Sequence, residues 1–196
     1  ASLLEAMEEK QVTIDGETLP LAEPFFVIAT ENPIETTGTY PLPEAQVDRF
    51  MMKLSMGQLD TQAKLRVMET FMGEHPLLSL KPVCTAEQIL QMREAARTVN
   101  VHPCIREYIV RIVEETGMDP GVMTGVSTRA MLALVRASQC YAAMQGRTYV
   151  IPDDVKQLAP CVLAHRLLTY GSTKDNNERM QEIVATVEVP VEDWKQ

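Results

Sequence analysis

The 196-residue sequence has few cysteines and no pattern that would use them together. Cys84, Cys104, Cys140 and Cys161 are about twenty or more residues apart, and three histidines lie scattered along the chain. Structural zinc sites and disulfide frameworks depend on short, regular spacings such as Cys-x-x-Cys. The sequence therefore predicts no metal centre, and we interpret the four thiols as ordinary buried or half-buried side chains in a reducing compartment.

Long apolar runs and positive charge are also scarce. No apolar run approaches the roughly 20 residues that a helix needs to span a bilayer, and we expect no secretory leader. Lys and Arg total 18 against 27 Asp and Glu, which gives a formal net charge of −9. Nonspecific nucleic-acid binding depends on clustered basic side chains. We therefore expect a soluble cytoplasmic protein without a membrane span and without a nucleic-acid partner.

The first part of the chain mixes signals for helix, strand and loop. The stretch Ser2-Leu-Leu-Glu5 has the spacing of a capping box, in which the two side chains satisfy each other's backbone amides. The pair Asp15-Gly16 favours the positive φ angles of a tight hairpin turn. These signals predict a short helix over residues 3–9 and a hairpin of two strands over residues 11–14 and 17–19.

A continuous apolar run, Phe-Phe-Val-Ile-Ala, occupies residues 25–29. Such a run of β-forming residues is typical of a strand buried on both faces in a parallel sheet. A proline-containing loop follows it. The pattern beyond the loop predicts a short helix over residues 44–48 and a second strand over residues 50–55.

From Thr61 onward the apolar residues recur with the period of a helix. Ser127 is a good N-cap, and Pro152 with two following aspartates suits a helix N-terminus. The predicted apolar stripes include Leu65, Met68, Phe71 and Met72 in the first helix, Ile89, Met92 and Ala96 in the second, and Ile105, Tyr108, Ile109, Ile112 and Val113 in the third. We predict helices over residues 61–72 and 86–98, from residue 105 to about 117, from residue 127 to about 146, from residue 152 onward, and over residues 177–187.

Three polar residues in or beside loops are candidates for a site. Asn32 follows the predicted strand at its carboxyl end, where parallel sheets bind ligands, although Asn before Pro is also an ordinary loop dipeptide. Arg49 lies where a short helix meets a strand and would present its guanidinium to an oxyanion. The alternative for Arg49 is a surface salt bridge with Asp48 or Glu44.

Arg129 lies in the first turn of a predicted helix, two residues after Ser127. A cation is unfavourable there because a helix N-terminus is already partly positive. Helix N-termini also bind phosphate groups, and an arginine in the first turn would add to the same anion site. Anion binding therefore gives a reason for this otherwise unfavourable position.

Four stretches of the sequence together resemble the C-terminal part of a MoxR-type AAA+ ATPase. They occur in the order and spacing of that family, and the resemblance runs through almost the whole chain. The four stretches are residues 26–33 (FVIATENP), 38–50 (GTYPLPEAQVDRF), 125–130 (GVSTRA) and 146–155 (GRTYVIPDDV). The resemblance implies a remnant of a P-loop AAA+ core, with a β-hairpin and two core strands, in residues 1–57. It implies an all-α helical lid in residues 58–196.

The resemblance also implies a role for each candidate residue. Asn32 matches sensor 1, which helps to place the water that attacks the γ-phosphate. Arg49 matches the arginine finger, which is donated to the nucleotide of the neighbouring subunit. Arg129 matches sensor 2, which couples the nucleotide state to movement of the lid. The implied cofactors are ATP and Mg²⁺, and the implied partners are a homo-oligomeric ring, commonly a hexamer, a von Willebrand A-type protein, and client proteins that the motor remodels.

The family's main nucleotide-binding segments are missing from these 196 residues. The sequence contains no Gly-x-x-x-x-Gly-Lys-Ser/Thr loop and no strand with paired acidic residues ahead of Leu3. We therefore expect the chain to be truncated and unable to hydrolyse ATP by itself. We also expect residues 25–29, without neighbouring strands, to pair with another chain or to be partly rearranged, and the lid from about Leu59 to fold independently.

Two other functions remain open at this point. One is a non-catalytic helical interaction module that shares ancestry with an AAA+ lid. The other is a nucleic-acid motor subunit, which would need a basic stripe. The predicted hairpin carries Asp15 and Glu17 and no Lys or Arg, which argues against nucleic acid.

Overall fold

The structure is a computed structural model, and it describes residues 2–31, 43–73, 75–171 and 175–191. The helices are α1 (Ser2–Glu9), α2 (Glu44–Val47), α3 (Thr61–Phe71), α4 (Ala86–Arg97), α5 (Pro103–Met118), α6 (Thr128–Met144), α7 (Pro152–Leu163) and α8 (Asn176–Thr186). Short 3-10 helices span Pro76–Ser79 and Ala164–Arg166, and the strands are β1 (Gln11–Ile14), β2 (Glu17–Pro20), β3 (Val122–Thr124) and β4 (Leu168–Thr169). A small α/β region is thus followed by a helical lid, which confirms the predicted fold class.

The predicted hairpin is present. Strands β1 and β2 pair antiparallel, with Ile14 opposite Glu17. Asp15 and Gly16 both have positive φ angles, 51° and 85°, as a tight two-residue turn requires. The Glu5 carboxylate accepts a hydrogen bond from the Thr13 backbone N–H at 3.2 Å, so helix α1 is fastened to the hairpin. The hydrogen bond from the Thr13 hydroxyl also lowers the pKa of Glu5.

The two predicted core strands do not form. Residues 25–29 have no strand pairing, and the side chains of Phe26 and Ile28 are 82% and 77% exposed. Residues 50–55 are also irregular. A strand that is buried on both faces needs a neighbour on each side, and the described residues form only two sheets of two strands each. The apolar run therefore forms no strand with the other described residues.

Helices α5 to α8 form the core of the lid. Ile105, Tyr108, Ile109 and Ile112 of α5 recur at helical spacing and are at most 1% exposed. They pack with Leu134 of α6 and with buried residues of α7 and α8. Two predicted starts are also confirmed: α7 begins with Pro152, and α6 begins after Ser127, whose Oγ accepts from the Ala130 N–H at 3.3 Å. Helix α5 begins at Pro103, two residues before the predicted start.

Helices α3 and α4 exist as predicted, but their apolar stripes do not reach the core. Helix α3 has no buried residue, and Leu65 and Met68 are 53% and 62% exposed. In α4 only Ala96 is buried, while Ile89 and Met92 are exposed. Periodicity predicted both helices correctly, but of the stripe residues only Ala96 is buried, in α4, the helix that contacts α6.

A small sheet that the sequence did not indicate closes one end of the lid. Strand β3 pairs antiparallel with β4, which places the connection between α5 and α6 beside the connection between α7 and α8. Val122 of β3 is 7% exposed and belongs to the lid core. Three-residue and two-residue strands are too short to leave a period-2 pattern in the sequence.

No helix in the described ranges has both the length and the apolar content to cross a membrane.

Candidate functional site

Arg49 lies in the turn that follows helix α2, and its side chain is largely buried. Its Nη1 is 2.6 Å from Oε2 of Glu8, near the end of helix α1. This ion pair fixes the guanidinium on a carboxylate that comes from a distant part of the sequence. The ion pair described here joins Arg49 to Glu8, a carboxylate that the sequence analysis did not name.

Arg129 reaches the same carboxylate from the lid. Its Nη2 donates to Oε1 of Glu8 at 2.7 Å, and its Nη1 is 3.9 Å from Oδ2 of Asp48. The Arg129 side chain is half exposed. Two of the three predicted site residues therefore meet at one carboxylate, although they are 80 residues apart in the sequence. The third, Asn32, lies outside the described residues.

Asp48 connects the segment that carries Arg49 to the start of helix α6. Its Oδ1 accepts a hydrogen bond from the Ser127 hydroxyl at 3.3 Å. The same oxygen is 3.6 Å from Nη1 of Arg166. Ser127 thus caps its own helix and contacts Asp48 at the same time, which positions the first turn of α6, and with it Arg129, beside Arg49.

Arg166 and His165 hold the backbone next to Arg49. Arg166 Nη2 donates to the carbonyl oxygen of Phe50 at 2.7 Å, and His165 Nε2 lies 3.0 Å from the same oxygen. Burial lowers the pKa of His165, which favours its neutral form, and the contact with the Phe50 carbonyl counteracts this effect. Burial also lowers the pKa of Arg166, which Asp48 counteracts, and a guanidinium stays charged in either case.

Sequence reasoning missed Arg166 and His165. They form no motif with Arg49 or Arg129, and they follow the end of helix α7 as an ordinary basic pair. The available signal was their place just beyond a helix C-terminus, where carbonyl groups lack helical partners and cations are favourable. Even that signal would not have identified Phe50 as the acceptor, because the contact spans 116 residues.

Gly125 sets the path of the loop that leads into α6. A Cβ at this position would lie 2.9 Å from both Thr116 Oγ1 and the Gly117 backbone nitrogen. The loop therefore lies directly on the end of helix α5, and the Val126 N–H donates to Thr116 Oγ1 at 3.1 Å. Glycine is required here because the two backbone segments approach closely. This contact fixes the position of the loop and therefore of Ser127 and Arg129, which follow it.

These residues border a cleft of about 340 Å³ between α2 and the lid, with Val47, Asp48, Gly125, Ser127, His165 and Arg166 among its lining. Asp48 and Arg166 line this cleft, and they belong to a cluster of ion pairs in which Arg49, Arg129 and Arg166 carry three positive charges and Glu8 and Asp48 carry two negative charges. The cluster has one positive charge in excess and several forked donors, which suits a phosphate oxyanion. Among the described residues, no group of three or more His, Cys, Asp or Glu side chains could hold a metal ion.

Comparison with known proteins matches two segments of this sequence to two family models. Residues 1–52 match the ATPase family associated with various cellular activities (AAA), and residues 114–187 match the AAA lid domain. The chain is 45% identical over 196 residues to the uncharacterized protein YeaC of Bacillus subtilis, and 40% identical over 185 residues to the chaperone MoxR1 of Mycobacterium tuberculosis. The chain belongs to the MoxR-type AAA+ ATPases.

A solved structure has the same fold as this MoxR-type chain. The crystal structure of a candidate ATPase from Cytophaga hutchinsonii superposes with a TM-score of 0.87 at 34% sequence identity, over 96% of this chain. The alignments cover 98% of this chain and 61% of YeaC, and 89% of this chain and 48% of MoxR1. They cover 61% of the Cytophaga chain. The chain therefore spans about half to three fifths of the length of these relatives.

In this chain the arginine cluster joins the two matched parts. Glu8, Asp48 and Arg49 belong to the segment that matches the AAA core, and Arg129 and Arg166 belong to the segment that matches the lid. Every ion pair described here between an arginine of the lid and a carboxylate of the cluster therefore joins core to lid.

Proposed function

We propose that this chain supplies the sensor, finger and lid functions of a MoxR-type ATPase, a chaperone-like motor that couples ATP binding and hydrolysis to the remodelling of client proteins. The observation that carries the proposal is the meeting of Arg49 and Arg129 at Glu8, with distances of 2.6 and 2.7 Å. Two guanidinium groups that share one carboxylate can bind a phosphate in its place, because carboxylate and phosphate are both oxyanions that accept hydrogen bonds from the forked donors of arginine.

Each arginine has a distinct role in this proposal. Arg129, in the first turn of α6, contacts the nucleotide of its own subunit and moves the lid with it. Arg49 leaves Glu8 and reaches the nucleotide of the neighbouring subunit, where it stabilises the charge that develops on the transferred phosphoryl group. Glu8 is then the resting partner of both side chains. Asn32 remains the proposed residue for placing the attacking water.

The proposed cofactors are ATP and Mg²⁺, and the cluster fits only the phosphate part. The excess positive charge suits a triphosphate, whereas no metal-holding group of side chains occurs within the described ranges. Bound ATP would supply the phosphoryl group, and this chain's own arginines would orient and neutralise it. We infer that magnesium and most of the nucleotide are held by the remaining part of the AAA core, so that this chain alone does not hydrolyse ATP.

The assembly that we propose is a cytoplasmic ring of identical subunits, commonly a hexamer, that works with a von Willebrand A-type protein. Residues 1–57 are the proposed core part and residues 58–196 the proposed lid. A finger that acts on a neighbour requires such a ring, because the nucleotide it serves belongs to another subunit. MoxR1, a relative at 40% identity, is named a chaperone, which supports remodelling of clients as the output.

The test of this function is the Arg49→Ala variant of the complete ATPase. We expect turnover to fall by about 10³-fold or more, the range for loss of an arginine finger, while ATP affinity stays within about twofold. The matched control is Arg97→Ala, which removes an arginine that pairs only with Glu94 on the exposed face of α4. Turnover retained in Arg49→Ala, at the level of the control, would remove Arg49 from the finger role.

A second candidate function is a non-catalytic interaction module. The exposed apolar stripe of α3 favours it, since Leu65, Met68 and Phe71 are each more than half exposed. This reading requires that the natural polypeptide begins close to Ala1. The intact mass of the protein purified from its source distinguishes the two functions, because the ATPase requires a longer chain.

A further inference from the structure

We propose that Arg166 is a positioning residue that transmits movement of the lid to the arginine finger of the same subunit. This inference rests on the proposed function of Arg49. Arg166 belongs to the lid, at the end of the 3-10 helix that follows α7. Its guanidinium contacts the two residues that flank Arg49 in the sequence, Asp48 and Phe50.

The contacts of Arg166 are specific and protected from water. Nη2 donates to the Phe50 carbonyl at 2.7 Å, Nη1 is 3.6 Å from the Asp48 carboxylate, and the side chain is only 2% exposed. A buried guanidinium is costly to desolvate unless acceptors and a counter-charge are close. Here Nη2 donates to Phe50, Nε donates to His165 Nε2 at 3.3 Å, and Nη1 forms an ion pair with Asp48 without a hydrogen bond, so these contacts favour one arrangement of the side chain.

Other bonds fasten the same segment to the same end of the lid. The Lys53 N–H donates to the Cys161 carbonyl at 2.9 Å, and His165 Nε2 shares the Phe50 carbonyl at 3.0 Å. Cys161 lies in the last turn of α7, where its carbonyl lacks a helical partner. Residues 48–53 are therefore fastened to the end of α7 along their length.

This end of α7 is part of the packed core of the lid. Val162, Leu163 and Ala164 are at most 2% exposed and belong to the same cluster as α5, α6 and α8. A packed core moves as a unit because its side chains have few alternative arrangements. A rotation of the lid must therefore move Phe50, and with it Arg49, or break the bonds to Arg166.

Arg129 and Arg166 also share Asp48. Arg129 Nη1 is 3.9 Å and Arg166 Nη1 is 3.6 Å from this carboxylate, which additionally accepts from Ser127. When Arg129 turns toward a nucleotide, Asp48 keeps Arg166 and Ser127 as partners. When nucleotide binding at Arg129 moves the lid, the lid also moves residues 48–53 of the same subunit. Arg49 in that segment then acts on the nucleotide of the next subunit. Arg166 would in this way make neighbouring sites hydrolyse ATP cooperatively.

The test compares Arg166→Met, Arg166→Lys and a matched control in the complete ATPase. We expect Arg166→Met to lower kcat between tenfold and a hundredfold, as misplacement of a catalytic group by about 1 Å does, and to bring the Hill coefficient for ATP to about 1. ATP affinity should stay within about twofold. Arg166→Lys, which keeps the charge but not the fork, should give an intermediate kcat.

The control is Arg179→Met. Arg179 is another lid arginine with little exposure, 13%, and it pairs with Asp119 at 2.6 Å, outside the cluster. We expect this variant to keep the kcat and the Hill coefficient of the parent protein. The decisive measurement is the double variant Arg49→Ala with Arg166→Met, whose turnover should equal that of Arg49→Ala alone, because Arg166 acts only through Arg49.

The outcomes separate the two proposals. If Arg49→Ala retains turnover, the proposed function fails. If Arg49→Ala is inactive but folded Arg166→Met keeps kcat and cooperativity, or if the two substitutions have additive effects, the role of Arg166 is overturned and the function stands. Should Arg166→Met not fold, Arg166→Lys, which keeps the charge but not the fork, takes its place. The kcat, ATP affinity and additivity with Arg49→Ala then decide in the same way.

Discussion

Asp153 and Asp154 are adjacent carboxylates, and in the sequence both indicate the N-terminus of a helix. Both lie in the first turn of α7, where negative charge is favourable. The structure separates them: the Asp154 side chain is 2% exposed and the Asp153 side chain is 82% exposed. Asp154 receives Arg147 Nη1 at 2.7 Å and the Ile151 N–H at 2.9 Å, whereas Asp153 approaches only Lys156 at 3.7 Å.

This difference predicts unequal effects of the same substitution. Asp154→Asn should lower the free energy of unfolding by about 2 to 3 kcal/mol, because it leaves the partly buried Arg147 guanidinium without its counter-ion. Asp153→Asn should change it by less than about 0.5 kcal/mol. Urea unfolding of both variants of this chain, followed by circular dichroism, measures the two values. Equal effects would show that Arg147 does not depend on Asp154 for its charge balance.

At the level of elements, the features that could be predicted are those set by neighbours in the sequence. The cap at Ser127, the proline at the start of α7 and the Asp15-Gly16 turn are local, and all three were confirmed. The stripe of α5 was also correct, because a helix of 16 residues with four apolar positions at regular spacing has few other ways to bury them.

The features that could not be predicted depend on what lies across from an element. Residues 25–29 have the composition of an inner strand, but strand formation needs partners that the described residues do not provide. The exposure of the α3 stripe could not be predicted for the same reason, because periodicity identifies an apolar face but not whether another element covers it. The contact of Arg166 with Phe50 joins residues 116 positions apart, and no local spacing indicates it.

The candidate site was partly predictable for a related reason. Arg49 and Arg129 were selected by their positions at element boundaries, and the structure brings both to Glu8. Glu8 itself was only one of several carboxylates on a short helix and carried no distinguishing signal. Its role comes from the tertiary placement of α1 beside the start of α6.

The exposure of α3 gives a prediction about this helix as a whole. Leu65 in α3 is 53% exposed, and Leu134 in α6 is fully buried. Leu65→Ala should change the free energy of unfolding of this chain by less than about 0.5 kcal/mol, because little apolar area returns to water and alanine favours helix. Leu134→Ala should cost about 3 kcal/mol through the lost packing and the cavity left behind. Chemical denaturation provides both numbers, and a cost above 1 kcal/mol for Leu65→Ala would place α3 in the folded core.

Across the whole molecule, the packed core is confined to one part of the chain. Every residue of the main buried cluster lies between Val99 and Val187. Ahead of residue 96, Ala6 is the one buried hydrophobic residue in the described ranges, and several apolar side chains there are more than half exposed. The contacts that join the two parts include the ion pairs and hydrogen bonds around Asp48, Arg129 and Arg166, and Met52 packs against the lid core. This small set of contacts contributes far less to stability than burial of the lid core.

We therefore expect residues 85–191 to fold without the rest of the chain. Thr85 is a natural starting point because it caps helix α4, with a capping box to Gln88. Thermal unfolding followed by circular dichroism should show one cooperative transition for this fragment, since it keeps the whole buried cluster of the lid. Residues 1–84 alone should show no cooperative transition, because a cooperative transition requires a core. A lid fragment that unfolds without cooperativity would mean that residues 1–84 contribute to the stability of the lid. The contacts around Asp48 would then stabilise the fold rather than link two parts that move relative to each other.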